Sequence, residues 1–320
     1  MKVSVIIPAY NAQAWIGRCI QSVMAQTYKD LEIIVLNDGS TDETLQLLIE
    51  ITEQDERVQV INKKNSGTYL TRKMGVKRSI GEAIFHADAD DFLEPFAIEV
   101  LVKRMLKDRA NLVIGNHFQL QNGKKRTVTN FIQKDQSRTS QLKSLFKNDL
   151  KGYVWGRLYR RELLTSIDFE ATKLLQEDFL TNLLVILKND VRIAVEETPV
   201  YNYLVHKNSA NSSRDTIFVE NVYSFIELTE SILKEAGHFE DVKNEFELFK
   251  CRNWIVYSRL GGRLSRDKRF RSQFFKKSYT SNVHLHLAYH HRLEMMVYRY
   301  HHNLGRLVTR SLKQVDNLIN

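Results

Sequence analysis

Four residues, Asp88-Ala89-Asp90-Asp91, put three carboxylates directly behind the apolar run Glu82–Ala87. Crowded so closely, they repel one another unless a cation or hydrogen-bond donors compensate. A Mg²⁺ or Mn²⁺ ion bridging one of them to a diphosphate supplies that compensation through hard oxygen ligands. The alternative is acids collecting at a helix N-terminus ahead of Glu94-Pro95. A further carboxylate, Asp38, follows the apolar run Glu32–Leu36 and precedes a glycine turn. Downstream of it, Asp42 suits a helix N-terminus, and Ser40 or Thr41 suits the cap. Gln176-Glu177-Asp178-Phe179 opens another helical pattern with two acids, which the helix dipole also favours.

These residues need elements to position them. Val3–Ile7, Glu32–Leu36, Val58–Ile61, Glu82–Ala87 and Leu112–Gly115 read as strands, with helices around Trp15–Gln26, Thr41–Ile51, Tyr69–Ser79 and Pro95–Lys107. The alternation predicts an α/β fold, a mostly parallel sheet covered by helices on both faces. In such sheets ligands bind outside the carboxyl ends of the strands. Pro8-Ala9-Tyr10-Asn11, the Asp38 turn and Asp88–Asp91 all follow strands, so one sheet edge would carry all three. Phe118–Leu120 and Arg126–Val128 flank Asn122-Gly123, a hairpin signal. A second mixed region follows: Tyr153–Tyr159, a helix over Glu177–Leu187, and strand-like Val191–Val195 and Val200–Val205. From Thr216 the pattern is helical, with Phe218, Val222, Phe225, Ile226, Thr229 and Leu233 on one face.

Pro8-Ala9-Tyr10-Asn11, Asn37-Asp38-Gly39-Ser40-Thr41-Asp42, Asn65-Ser66-Gly67, Gly81-Glu82 and Asp88-Ala89-Asp90-Asp91 resemble, in this order, the family 2 glycosyltransferases of GT-A fold. The resemblance covers Lys2 to about Asn208. It implies that Pro8, Ala9, Tyr10, Asn11, Asp38, Asn65, Gly67, Asp88 and Ala89 line the nucleotide site, with Ala9, Tyr10 and Asp38 at the base and Asp88 at the ribose. It implies that Asp90, in an Asp-x-Asp motif, ligates a divalent metal, Mn²⁺ or Mg²⁺. Arg72 sits where relatives carry an arginine near the donor, though Thr71 and Lys73 depart from their pattern; a solvated helix arginine is the other reading. Asp178 matches the aspartate that acts as base, a role requiring a carboxylate within hydrogen-bond reach of the acceptor hydroxyl. Glu177 beside it would tune that aspartate or hold acceptor atoms. Trp155 falls in the acceptor-side segment, either stacking on a sugar face or packing in the core. Leu204 replaces the arginine of the relatives' diphosphate loop, which leaves His206, Lys207 or Ser209 for that contact.

Uracil offers an N3–H donor and a π face, which Asp38 and Tyr10 suit, so the expected donor is a UDP-sugar. No Gln-x-x-Arg-Trp segment marks a processive synthase, so the resemblance implies inverting transfer of one hexosyl or N-acetylhexosaminyl unit. The expected acceptor is a glycan or lipid-linked saccharide, in bacterial surface polysaccharide or glycoconjugate synthesis. The expected division is a catalytic domain over 1–214, its nucleotide-sugar part about 1–116 and its acceptor part about 117–214, and a basic helical region over 215–320. Two rival functions make different demands on the sequence. A sugar-1-phosphate nucleotidyltransferase would need an early glycine-rich phosphate loop, and a non-catalytic protein binding anionic partners would turn over no donor. No Gly-x-Gly-x-x-Gly follows the first strand, which argues against a dehydrogenase.

The formal charge of +9 is uneven, with 15 Lys and Arg against 3 Asp and Glu from Lys250 onward. Leu293, Val297, Tyr300, Leu304 and Leu307 form an apolar stripe flanked by Arg292, Arg299, Arg306 and Lys313. Three readings fit this stripe: a core helix with snorkelling cations, a helix at an anionic membrane surface, or a homodimer contact. The nearby histidines suit pH-sensitive surface positions. Nucleic acid is not expected as a partner, because no nucleic-acid motif accompanies the charge. Two distant cysteines, the short apolar run at the N-terminus and no span of ~18 apolar residues predict a cytoplasmic protein, at most peripheral to a membrane.

Overall fold

The computed structural model describes residues 1–169, 176–206 and 216–260, with side chains limited to 221–253 in the last stretch. Two compact units divide the chain, Met1–Ser209 and Ala210–Asn320.

In the first unit β1 (Val3–Ala9), β2 (Leu31–Asp38), β3 (Val58–Lys63) and β4 (Ala83–His86) run parallel in the order β3-β2-β1-β4. Every residue of β2 and all of β1 except Pro8 are buried. Strands apolar on both faces must be covered on both, as α1 (Ile16–Met24), α2 (Thr44–Thr52) and α3 (Thr68–Arg78) help to do. Near the start of β2, the buried Glu32 accepts hydrogen bonds from Ser4 Oγ at 2.5 Å and the Ile80 N–H at 3.0 Å. Gly75 lets α3 approach β1, since a Cβ there would lie 2.5 Å from Ile6 Cγ2.

Beyond β4 the sheet becomes mixed. β8 (Arg157–Arg160) inserts antiparallel between β4 and β6 (Leu112–Gln121). β9 (Ile193–Leu204) is parallel to β6, and the short β5 (Phe92–Leu93) is antiparallel to β9. β7 (Lys124–Val128) pairs only with β6, across a turn in which Asn122 and Gly123 have φ of 50° and 76°. Both angles are positive, as a type I′ hairpin turn requires. α4 (Ala97–Lys107), α5 (Arg138–Lys147), α6 (Arg161–Thr165) and α7 (Glu177–Lys188) complete the unit.

Several local expectations change. The two runs read as separate strands near Val191 and Val200 are one strand, β9. Its register on β6 jumps from Gly115↔Glu196 to Asn116↔Pro199, so Glu197 and Thr198 leave the ladder. Proline has no N–H to donate, which suits it to such an irregularity. The run from Tyr153 yields a strand only from Arg157, and Trp155 contributes an isolated bridge to His86. Neither Ser40 nor Thr41 caps α2. Instead Asp42 Oδ1 accepts the Thr44 N–H at 3.0 Å, while Ser40 Oγ accepts the Asn11 N–H at 3.0 Å and ties two strand ends together.

In the second unit α8 (Thr216–Glu235) buries Val222, Phe225, Ile226, Thr229 and Leu233. The expected stripe is thus inward, apart from Phe218, whose side chain lies outside the described residues. α9 (Phe239–Leu260) buries Val242, Phe246 and Phe249, with the Phe225 and Phe249 rings edge-on at 5.9 Å. No helix among the described residues is long and apolar enough to cross a membrane. The basic stripe after Arg292 and its neighbouring histidines lie outside the described residues.

Candidate active site

The parallel register brings the ends of β1, β2 and β4 to one edge. Asn11 takes the left-handed conformation (φ 49°), which asparagine tolerates, and its Oδ1 accepts the Thr41 N–H at 2.8 Å. Those bonds fix the loop after Pro8 and Ala9 and leave Tyr10 53% exposed.

Asp38, only 3% exposed, serves first as a brace. Its Oδ1 accepts the Ser66 N–H at 2.9 Å and an ion pair from Lys63, and its Oδ2 accepts the Gly67 N–H at 3.0 Å. The Asn65-Ser66-Gly67 loop is therefore pinned to the end of β2, with Asn65 exposed beside it. Oδ2 retains a lone pair beyond the Gly67 bond.

The acidic turn is framed from both sides. Asp88 N–H donates to the Tyr201 hydroxyl at 2.9 Å, and Asp91 Oδ1 accepts the Leu204 N–H at 2.8 Å, both from β9. From α1, Arg18 donates to the Asp90 carbonyl at 3.2 Å and Cys19 to that of Asp88 at 3.3 Å. Ala89 is a buried spacer. Asp88, Asp90 and Asp91 each bring an oxygen within 4.8 Å of the others. Burial, with Asp88 and Asp90 nearby, pushes the Asp91 carboxyl well up, and burial pushes Asp88 to about 6 against the pull of Arg72. Asp91 Oδ2 is buried, with the Tyr201 hydroxyl beside the carboxyl. A crowded, under-compensated set of oxygens fits a hard divalent cation. Asp90 itself meets His206, whose Nε2 lies 2.8 Å from Oδ2 and whose ring stacks on Trp15 at 4.3 Å. The structure thus places His206 at the acidic turn; Lys207 and Ser209 lie outside the described residues.

Arg72 joins the two acidic centres. Its Nη2 donates to Asp88 Oδ1 at 2.5 Å and its Nη1 to Asp178 Oδ1 at 2.6 Å. The solvated-arginine alternative fails, since Arg72 is buried. Asp178 stands in the first turn of α7, just after Gln176 in the left-handed conformation (φ 59°), and its Oδ2 accepts the Val154 N–H at 3.3 Å. Two donors thus aim the carboxylate. Asp178 also lines a cavity of about 310 Å³.

Burial pushes the neighbouring Glu177 up to about 7, opposed by Arg72 and aided by the charge of Asp178. A folded-state pKa above the unfolded value means that ionising Glu177 costs stability. The penalty is absent below about pH 4.5 and complete above about pH 7. Glu177→Gln is therefore expected to be the more stable chain at pH 8, by up to ~3 kcal/mol at ~1.4 kcal/mol per pKa unit. Denaturant titrations should show that gap closing toward pH 4.5. A gap that widens on acidification would mean the carboxylate is stabilised, not strained.

Trp155 is 7% exposed and stacked on Tyr153 at 3.8 Å, with Tyr201 at 4.7 Å and Tyr203 at 5.2 Å. The core alternative holds, and the indole is no open platform for a sugar. Lys63, Tyr201 and Trp15 were not singled out from the sequence. Each lies in or beside an ordinary strand or helix and carries no motif; only the position of Lys63 just before Asn65-Ser66-Gly67 offered a hint.

Comparison with known proteins adds to this geometry. The sequence model described as glycosyl transferase family 2 matches residues 4–167. Glycosyltransferase GlyA of Streptococcus pneumoniae is 27% identical over 218 residues, covering 65% of this chain and 31% of that protein. EpsH of Bacillus subtilis is 28% identical over 255 residues, covering 77% of this chain and 73% of that one. The chain therefore spans about a third of GlyA. Among solved structures, S. aureus TarS 1–349 in complex with UDP-GlcNAc has a TM-score of 0.67 at 19% identity, over 98% of this chain and 92% of that one. At that identity the likeness is one of fold.

Proposed function

The chain belongs to glycosyl transferase family 2, and from that premise we propose that it moves one sugar from a UDP-sugar onto an acceptor hydroxyl with inversion. The observation that carries this reading is the Arg72 bridge. One buried guanidinium holds Asp88, on the donor edge, and Asp178, the candidate base, at its two ends.

On the donor side, the half-exposed Tyr10 offers a face to uracil and Asp38 Oδ2 an acceptor to its N3–H. Asp90, with oxygens of Asp88 and Asp91 close by, would hold Mn²⁺ or Mg²⁺, whose charge would neutralise the departing diphosphate, and Asp88 would face the ribose. On the acceptor side, Asp178 takes the hydroxyl proton while the oxygen attacks the anomeric carbon. The bond to the diphosphate breaks with its electron pair, and UDP leaves from the opposite face. A single displacement inverts the centre. UDP-GlcNAc, the ligand named with TarS, is the first donor to test.

Calorimetry of UDP with and without Mn²⁺ tests the donor half. Asp90→Ala is expected to abolish the Mn²⁺-dependent part of the affinity. Asp38→Ala is expected to weaken binding in both conditions, since it removes the base acceptor and frees the Ser66–Gly67 loop. Unchanged Mn²⁺-dependent affinity in Asp90→Ala would remove the metal assignment.

A further inference from the structure

The cavity of about 310 Å³ beside Asp178 runs along α3. Tyr69, Arg72, Lys73, Val76 and Lys77 line it, the three- and four-residue spacing of one helix face. Its volume lies at the low end for small-molecule sites, enough for one sugar unit and a substituent. Val76, Leu164 and Ile167 give it an apolar side, suited to the C–H face of a sugar ring.

Its charges are unequally matched. Arg72 is held by Asp88 and Asp178, and Lys73 pairs with Asp168. Lys77 and Arg161, which also line the cavity, have no acidic partner among the described residues. Three polar atoms of its lining residues are buried without hydrogen-bond partners among those residues, Arg72 Nε, His86 Nδ1 and Arg161 Nε. Buried polar groups are normally satisfied, so a wall with three such atoms points to a polar ligand. Along α3, Lys77 lies five positions beyond Arg72, which holds the candidate base. At 1.5 Å per residue that is about 7.5 Å, roughly the span from a reacting hydroxyl across one sugar ring to its substituent.

We propose that this cavity is an acceptor subsite for a saccharide bearing an oxyanion, phosphate or carboxylate, with Lys77 and Arg161 as its counter-ions. The inference rests on the transferase reading above. The accepting hydroxyl would lie at Asp178, the ring against Val76 and Leu164, and the oxyanion at the cationic wall.

Ligand-observed NMR on the full chain tests this, with N-acetylglucosamine 6-phosphate, glucuronate, N-acetylglucosamine and inorganic phosphate as probes. At least one anionic sugar is expected to bind ten times or more tightly than the neutral sugar and than inorganic phosphate, and the stronger of the two identifies the oxyanion. Lys77→Gln should weaken it about tenfold and Lys77→Glu further; Lys77 is exposed, so neither change threatens the fold. Arg161→Gln should act in the same direction. UDP affinity with Mn²⁺, measured in parallel, is the control for the donor side. Equal binding of neutral and anionic sugars, or indifference to both Lys77 variants, would overturn the proposal. Absence of UDP binding in the unmodified chain would instead sink the transferase reading, and the saccharide titrations would still decide the cavity.

Discussion

Asp178→Asn is expected to keep UDP affinity within a few-fold of the unmodified chain and to lower sugar transfer by ~10²–10⁴, the scale of a positioned proton acceptor. Asparagine has nearly the shape of aspartate, so its carbonyl oxygen still meets Arg72 Nη1, which now lies 2.6 Å from Oδ1. What disappears is the charge and the proton affinity. Single-turnover transfer, with donor binding measured separately, isolates that loss. Glu177 is the obvious substitute, adjacent in α7 and pushed up to about 7 by burial. Turnover near the unmodified rate in Asp178→Asn, lost on adding Glu177→Gln, would move the base to Glu177. Product stereochemistry gives an independent check: an α-linked donor must yield a β-linked product, and retention would exclude a single displacement.

The second large effect is on stability. Arg72→Met keeps much of the side-chain length and removes the guanidinium that links Asp88 to Asp178. Breaking a buried ion pair from one side typically costs ~3–5 kcal/mol, because the remaining charge stays desolvated. The two carboxylates are 27% and 25% exposed, which pulls the expectation toward the lower end. Asp88 already sits at about 6, raised by burial despite Arg72, so losing the cation raises it further. For a carboxyl raised on folding, stability is lost as pH rises from the unfolded value near 3.8 through the folded one. Unfolding of metal-free Arg72→Met should therefore show its full deficit at pH 8 and a much smaller one near pH 4. Asp88→Asn on the Arg72→Met background should recover part of the pH 8 loss, since it removes one stranded charge. A variant within ~0.5 kcal/mol of the parent at pH 8 would show that water, not Arg72, balances the two carboxylates.

What the sequence determined by itself was short-range. Apolar runs such as Val3–Ile7 and Glu32–Leu36 had to be buried strands, because nothing else within a few residues could cover both their faces. Asn122-Gly123 specified its own hairpin turn, and the acids after β4 and at the start of α7 were visible as clusters a few residues long. The order of motifs from Pro8 to Asp91 fixed the family expectation, which the match over residues 4–167 supports. Only the tertiary structure decided which distant groups meet. Arg72 reaches Asp178 across 106 positions in sequence, and Tyr201 reaches Asp88 across 113. Trp155 became core because Tyr201 and Tyr203 of the remote β9 stack on it beside its neighbour Tyr153, and β8 entered the sheet antiparallel between β4 and β6. Periodicity and turn chemistry act over a few residues and leave a local mark. Pairing between remote side chains is set by the summed packing of the whole sheet and its helices, and no single stretch of sequence carries that sum.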